Sequence, residues 1–118
     1  MGLDMYAYKV PKKDMRGDFK FKRSKKVVEL DYWRNRQDLH WWFENLYTDK
    51  GGKELFNCVP LKLELEDLDL LEEDIRNKNL PEPIFEKSDI NDKSDLEFIE
   101  KARQAISNGY AVYYDSWW

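Results

Sequence analysis

The chain has 118 residues, of which 42% are hydrophobic and 15% aromatic, and this composition predicts one folded domain and excludes a disordered chain. A net charge of −4 with 37% charged residues argues against a general nucleic-acid binder, which usually carries a basic excess. The single cysteine excludes an internal disulfide, and the single histidine excludes a zinc site of the usual His and Cys spacing.

The sequence contains no apolar run of about 18 residues, the length that a membrane-spanning helix needs. It also lacks the pattern of a signal peptide at its first residues. We therefore expect a protein without a membrane span, located in the cytoplasm.

The first half of the chain is predicted to hold strands followed by the longest helix. Residues 3–10 alternate as a strand, and residues 19–30 indicate an interrupted strand or a hairpin. A helix is expected from Asp31 to about residue 50. Gly51 and Gly52 should end it, because glycine accepts the left-handed conformation that follows many helices.

The middle of the chain predicts a short strand, a helix and an irregular connection. Residues 56–63 indicate a strand, and Pro60 inside it favours an edge position because proline lacks the N–H for the ladder. Residues 66–77 have the apolar spacing of a helix. Residues 80–83 are expected to be a connector, and residues 84–93 to be irregular.

The last part of the chain predicts a helix and a final strand. Ser94 and Glu97 have the spacing of a capping box, which places the start of the helix at Ser94. Gly109 should end that helix, and the aromatic residues 110–118 indicate a strand. The order of elements predicts a single α+β domain over residues 1–118, with about three helices on a mostly antiparallel sheet that includes both terminal strands.

The charges are distributed unevenly along the chain. A basic segment, residues 9–26, has nine Lys and Arg against two acids, whereas residues 64–74 have seven acids and no base. Two solvated faces are one interpretation, and attraction between the two segments is another. In a third, the basic segment meets phosphate or an acidic partner.

One candidate site depends on a buried acid near the end of the chain. Asp115 lies among aromatic residues and should have a partner, because an unpaired buried carboxylate is costly. Arg34 and His40 are the candidates. In an enzyme, His40 would be the base, Asp115 would orient it and Arg34 would hold an anion. A structural ion pair and a packed histidine are the alternatives.

The tryptophans suggest a second kind of site. All five lie in the predicted long helix and the last strand, where they would pack in the core or form a platform for a base or a partner protein. Cys58 is expected to be a small buried residue. The candidate residues for a ligand or partner are Tyr32, Trp33, Arg34, His40, Asn57, Asp115 and Trp117.

Several segments together resemble a family of small bacteriophage and prophage proteins. The chain opens with MGLDMY and closes with YYDSWW, and ELDYWR, LH with WF, FN and EDL follow the opening in the family's order. The resemblance runs along the whole chain, and the opening and closing segments are its most specific parts. It implies a viral or prophage origin and an infected-cell cytoplasm, and it implies no particular activity.

Our leading hypothesis is a non-enzymatic binding protein that acts on a host component or on a small signalling molecule, with countering a host defence as its most concrete form. The partner would be a host protein or a nucleotide-like ligand; we expect neither a nucleic-acid partner nor a cofactor or metal. A homodimer is left open. The alternative hypothesis is a small enzyme acting on a nucleotide or phosphorylated metabolite through the His-Asp-Arg site.

Overall fold

The computed structural model describes residues 2–80 and 89–118, with the side chains of all of them except residues 89–91. Within these ranges the strands are β1 (Asp4–Pro11), β2 (Val28–Arg34), β3 (Leu61–Leu63) and β4 (Tyr110–Trp117), and the helices are α1 (Gln37–Asp49), α2 (Leu65–Arg76) and α3 (Asp89–Ser107). The strands form one antiparallel sheet in the order β2-β1-β4-β3. The predicted α+β fold is confirmed, with both terminal strands in the centre of the sheet.

The helices cover one face of this sheet and form the main hydrophobic core with it. Alternation along β1 places Leu3, Met5 and Ala7 on the covered face, as the sequence predicts, and all three are buried. The helices contribute buried residues at helical spacing: Leu39 and Phe43 from α1, Leu68, Leu71 and Ile75 from α2, and Phe98, Ile99 and Ala102 from α3.

The basic segment packs on part of the opposite face. It begins with one 3-10 turn, Lys12–Asp14, and its Met15 and Phe21 form an isolated bridge. Phe21 then joins Val10 and Tyr113 in a second, smaller hydrophobic cluster. The Tyr113 hydroxyl donates a hydrogen bond to the Gly17 carbonyl oxygen at 2.6 Å, which ties the segment to β4.

The predicted start of the long helix at Asp31 is wrong. Residues 31–34 belong to β2, where Asp31 pairs with Ala7 and Arg34 with Asp4. Asn35 follows with φ 56°, a conformation that asparagine tolerates better than most residues, and it extends the pairing of the two strands through two hydrogen bonds with the Leu3 backbone. The helix therefore begins at Gln37, and it ends before Gly51 as predicted.

The capping box predicted at Ser94 is also wrong. Helix α3 already begins at Asp89, so Ser94 lies inside it and residues 89–93 are helical rather than irregular. The predicted end at Gly109 is correct, since that residue has φ 90°. The connector predicted at 80–83 lies outside the described residues apart from Leu80, and so do residues 84–88 of the predicted irregular stretch.

The predicted strand at 56–63 is shorter in the structure. Only Leu61–Leu63 pair with β4, and this strand lies at the edge of the sheet. Pro60 stands immediately before it, where the missing N–H costs no ladder hydrogen bond. The preceding residues form a loop that packs beside the end of β4 through Phe56 and Asn57.

Candidate binding surface

One half of the second sheet face carries aromatic side chains that the basic segment covers only in part, through the contacts of Phe21 and Arg23 with Tyr8. We call this surface the open sheet face, and it consists of Tyr6, Tyr8, Tyr32, Asp115 and Trp117. Strand register places Tyr6 beside Tyr32 on one side and beside Asp115 on the other. Trp117 is 64% exposed and Tyr32 is 44% exposed. Large aromatic groups are therefore presented to solvent by Tyr32 on the edge strand β2 and by Trp117 at the end of β4.

The tyrosines of this surface are held in fixed positions by one another and by Asp4. Tyr6 stacks on Tyr8 with ring centroids 5.9 Å apart and contacts Tyr32 at 5.2 Å. The Tyr32 hydroxyl donates a hydrogen bond to Asp4 Oδ1 at 2.6 Å. A ring that is already fixed loses little conformational entropy when a ligand stacks on it.

Arg23 connects the open sheet face to the basic segment. Its guanidinium donates to Asp115 Oδ2 at 2.5 Å and lies 5.3 Å from the ring centroid of Tyr8 and 4.6 Å from that of Phe21. Burial raises the pKa of Asp115, and the hydrogen bond and charge of Arg23 oppose that rise. Arg23 is itself half exposed. It therefore pairs with the buried acid and still reaches solvent at the edge of the aromatic surface.

The centre of this surface is concave. A cavity of about 380 Å³ is lined by Tyr6, Tyr8, Arg23, Cys58, Asp115, Ser116 and Trp117. Its size falls in the range of small-ligand sites. Cys58 was expected to be buried, and this prediction is wrong: the residue is exposed, in a loop with φ 61°, because its neighbours turn towards the end of β4.

A second cavity lies on the helix side of the molecule. This helix-side cleft has about 370 Å³ and is lined by Leu3, Gln37, His40, Trp41, Glu44 and Trp118. Asn57 shapes it by holding the backbone of Trp118, donating from its amide to the Trp118 carbonyl oxygen at 2.8 Å and accepting from its N–H at 3.0 Å. Trp41 is 52% exposed at this cleft, whereas the adjacent Trp42 packs partly against the core.

His40 is held as a neutral ring in the wall of this cleft. Its Nδ1 lies 2.6 Å from the Tyr114 hydroxyl, and its ring stacks on Phe56 at 5.3 Å. Burial lowers the pKa of His40 to about 4 and raises the pKa of Tyr114. A base with so low a pKa is weak at pH 7, where effective general bases have pKa values near the operating pH.

The structure does not bring the predicted catalytic trio together. Asp115 pairs with Arg23, His40 pairs with Tyr114, and Arg34 lies 3.9 Å from Asp4 with an exposed side chain. Neighbouring residues of a strand point to opposite faces of the sheet, so Asp115 lies on the open sheet face and Tyr114 lies in the helix-packed core. His40 contacts Tyr114 on that helix side.

The seven predicted site residues are divided among three places. Tyr32, Arg34, Asp115 and Trp117 lie on the same side of the sheet, with Arg34 beside Asp4 at its edge. His40 and Asn57 belong to the helix-side cleft. Trp33 is buried and packs edge-on against Phe98 at 4.9 Å, so its predicted role in binding is replaced by a role in the core.

Three residues of the candidate surface were missed by the sequence reasoning. Tyr6 and Tyr8 could have been found, because strand alternation places both on the face opposite Leu3 and Met5. Arg23 had no comparable signal, since its partner Asp115 is 92 residues away in the chain.

Among residues 2–80 and 89–118 no helix is long and apolar enough to span a membrane. The same residues contain no group of three or more His, Cys, Asp or Glu side chains that could hold a metal ion. Comparison of the chain with family models finds no match, and comparisons with curated proteins and with solved structures find none either. The resemblance to bacteriophage and prophage proteins stays a prediction.

Proposed function

We propose that this chain is a non-enzymatic binding protein, encoded by a phage or prophage, that captures a host component or a small signalling molecule on the open sheet face. The observation that carries the proposal is the exposure of Tyr32 and Trp117 beside the cavity that Arg23 borders. Aromatic residues and arginine contribute most of the binding energy in many interfaces. Countering a host defence is the most concrete form of this function.

The chemistry of the surface favours a ligand with a planar ring and a negative charge. The tyrosines and Trp117 offer faces for stacking, and the half-exposed Arg23 offers a guanidinium at the rim. A nucleotide-like molecule has both features. Catalysis by the His-Asp-Arg trio is not favoured, because His40 and Asp115 have different partners on different faces of the sheet.

Native mass spectrometry on the protein purified gently from phage-infected cells tests the proposal. We expect a stoichiometric additional mass on the wild-type chain that is absent from the Tyr32→Ala, Trp117→Ala double variant. Trp41→Ala is the matched control, because Trp41 is similarly exposed but lies in the helix-side cleft. A bare chain, or a bound mass that only Trp41→Ala removes, would contradict the proposal.

A further inference from the structure

The acidic and basic side chains of this chain are concentrated in different elements of the fold. Helix α2, with its run of acids, packs on the covered face, and the basic segment packs on the opposite face through Phe21. Eight of the basic side chains in this segment are exposed: Lys12, Lys13, Arg16, Lys20, Lys22, Arg23, Lys25 and Lys26. The chain, although acidic overall, thus carries a basic segment that packs on this face through Phe21 and on the main core through Phe19, which contacts Tyr47 at 4.9 Å.

This basic region adjoins the open sheet face directly. The ring centroid of Phe21 lies 5.9 Å from that of Tyr8 and 4.8 Å from that of Tyr113. Arg23, two residues later in the chain, lies over the ring of Tyr8. A chain of phosphates lying along the basic segment would therefore have its bases within reach of the aromatic half of the face. Positive side chains along a backbone path, combined with aromatic stacking platforms, are the features that bind single-stranded nucleic acid.

The spacing of the exposed rings also suits successive bases. Tyr32 in β2 and Trp117 in β4 are separated by one intervening strand and one register step of two residues, which places their Cα atoms about 12 Å apart. Asp4 and Tyr6 of β1 lie between them, and the cavity beside Arg23 adjoins Trp117 but is not lined by Tyr32. The surface thus has two exposed rings and a concave centre rather than a single pocket.

We infer that the open sheet face and the basic segment together bind single-stranded nucleic acid, with bases stacked on Tyr32 and Trp117 and phosphates held by the basic segment. This inference rests on the proposed function and names the class of partner for the same surface. It reverses the expectation of no nucleic-acid partner, which came from the net charge of −4, because eight exposed basic side chains lie in one segment. Charge complementarity favours a polyanionic partner. The exposed rings beside the charges favour a nucleic acid over an acidic protein, because its bases can stack on them. A duplex is disfavoured, because its bases are already stacked and their faces are hidden.

Fluorescence anisotropy with a labelled 12-nucleotide oligodeoxythymidine tests this inference on the full chain. We expect Trp117→Ala and Tyr32→Ala each to weaken binding by about 5- to 150-fold. Trp117 is largely exposed, so its replacement should leave the unfolding midpoint unchanged. Trp41→Ala is the control for loss of an exposed tryptophan and should bind as the wild-type chain does.

The salt dependence of the same binding tests the role of the basic segment. The logarithm of affinity should fall linearly with the logarithm of salt concentration, by about 0.7 per phosphate contacted. Lys22→Gln with Lys25→Gln should reduce that slope by about 1.4, because two contacts of about 0.7 each are lost. Lys101→Gln, an exposed lysine on α3, should leave it unchanged.

Four outcomes decide between this inference and its rivals. Equal affinity for a 12-base-pair duplex, or no loss of affinity in Trp117→Ala, would overturn it. Either result would mean that the protein binds any polyanion and does not stack on its bases. Binding of thymidine monophosphate as tight as that of the oligonucleotide would overturn it in favour of a small nucleotide. Binding of poly-glutamate without the oligonucleotide would overturn it and leave the proposed function standing. A bare chain in native mass spectrometry contradicts the proposed function instead.

Discussion

Arg36 is the centre of a buried charge cluster that joins the start of α1 to α3. It donates to Asp38 at 3.0 Å and to Asp95 at 2.7 Å, and all three side chains are almost fully buried. Burial acts to lower the pKa of Arg36, but its hydrogen bonds to Asp95 and Asp38 outweigh this and raise it. The guanidinium is thus the cation that makes two buried carboxylates tolerable.

We expect Arg36→Gln to lower the free energy of unfolding by about 3–5 kcal/mol, because it leaves Asp38 and Asp95 without their cation. Urea denaturation at pH 7 measures this. Arg34→Gln is the matched control and should cost less than about 1 kcal/mol, since Arg34 is exposed and lies 3.9 Å from its acid. Equal costs for the two arginines would show that the cluster contributes no more than a surface pair.

His40 makes stability depend on pH with a defined sign. Burial lowers its pKa in the folded chain from 6.5 to about 4, so between these values the unfolded chain binds more protons. Stability should therefore fall as pH decreases through this window. Asp95 and Asp115 act in the opposite sense, because burial raises their pKa values and the folded chain takes up their protons more readily.

Comparison with His40→Gln isolates the contribution of the histidine. Between pH 7 and pH 4.5 we expect the wild-type chain to lose about 1–2 kcal/mol more than the variant, a value discounted because the ring stays partly solvated. Urea denaturation at both pH values provides the measurement. Parallel pH profiles for the two proteins would mean that His40 titrates normally.

Two helix starts differ in how the sequence signals them. At α2, Glu64 and Asp67 form a capping box, with the Glu64 N–H donating to Asp67 Oδ2 at 2.8 Å, and Lys50 pairs with the same carboxylate at 2.6 Å. At α3, Ser94 and Glu97 have capping-box spacing, but the helix has already begun five residues earlier. The same spacing thus caps one helix and lies inside another.

Ser94→Ala should therefore change the free energy of unfolding by no more than about 0.5 kcal/mol, because alanine is the better residue inside a helix. Asp67→Ala should cost about 2 kcal/mol, since it removes a capping side chain and the carboxylate that pairs with Lys50. Thermal or urea unfolding compares the two. A loss of about 1 kcal/mol in the free energy of unfolding of Ser94→Ala would instead support the predicted helix start at Ser94.

The elements that were predicted well have strong local signals. Alternation in β1 and the glycines after α1 and α3 depend only on nearby residues. The start of α1 was missed because Tyr32 and Leu39 fall at helical spacing, whereas aromatic residues favour strands and pairing with β1 places Tyr32 in β2. Two ion pairs join distant parts of the chain, Arg23 with Asp115 and Arg36 with Asp95. No pattern among neighbouring residues predicts such pairs.

In the molecule as a whole, β4 is the element on which the sheet depends. It lies between β1 and β3, and Val112, Tyr113 and Tyr114 within it are fully buried. Its two ends differ, since Trp117 and Trp118 are exposed and the preceding six residues are mostly buried. The strand therefore has an interior part that holds the fold and a tip that faces solvent.

A chain shortened to residues 1–109 should lack a cooperative unfolding transition, because removal of β4 separates β1 from β3 and opens both hydrophobic clusters. A chain of residues 1–116 should keep that transition, because the sheet loses only its exposed tip. Circular dichroism during urea denaturation distinguishes them. A cooperative transition in residues 1–109 would mean that the β1–β2 hairpin and the helices fold without the central strand.

The pairing of β1 with β4 also governs the order of events during synthesis. Asp4 and Trp117 are register partners although they are more than 100 residues apart in the chain. At about 5–20 residues per second, β1 leaves the ribosome roughly 5–20 s before its central neighbour exists. During that interval β1 can pair only with β2, and its other edge offers unpaired backbone groups to any neighbouring chain. Completion of the sheet thus waits for the synthesis of β4, and crowded or rapid expression should favour aggregation through that edge.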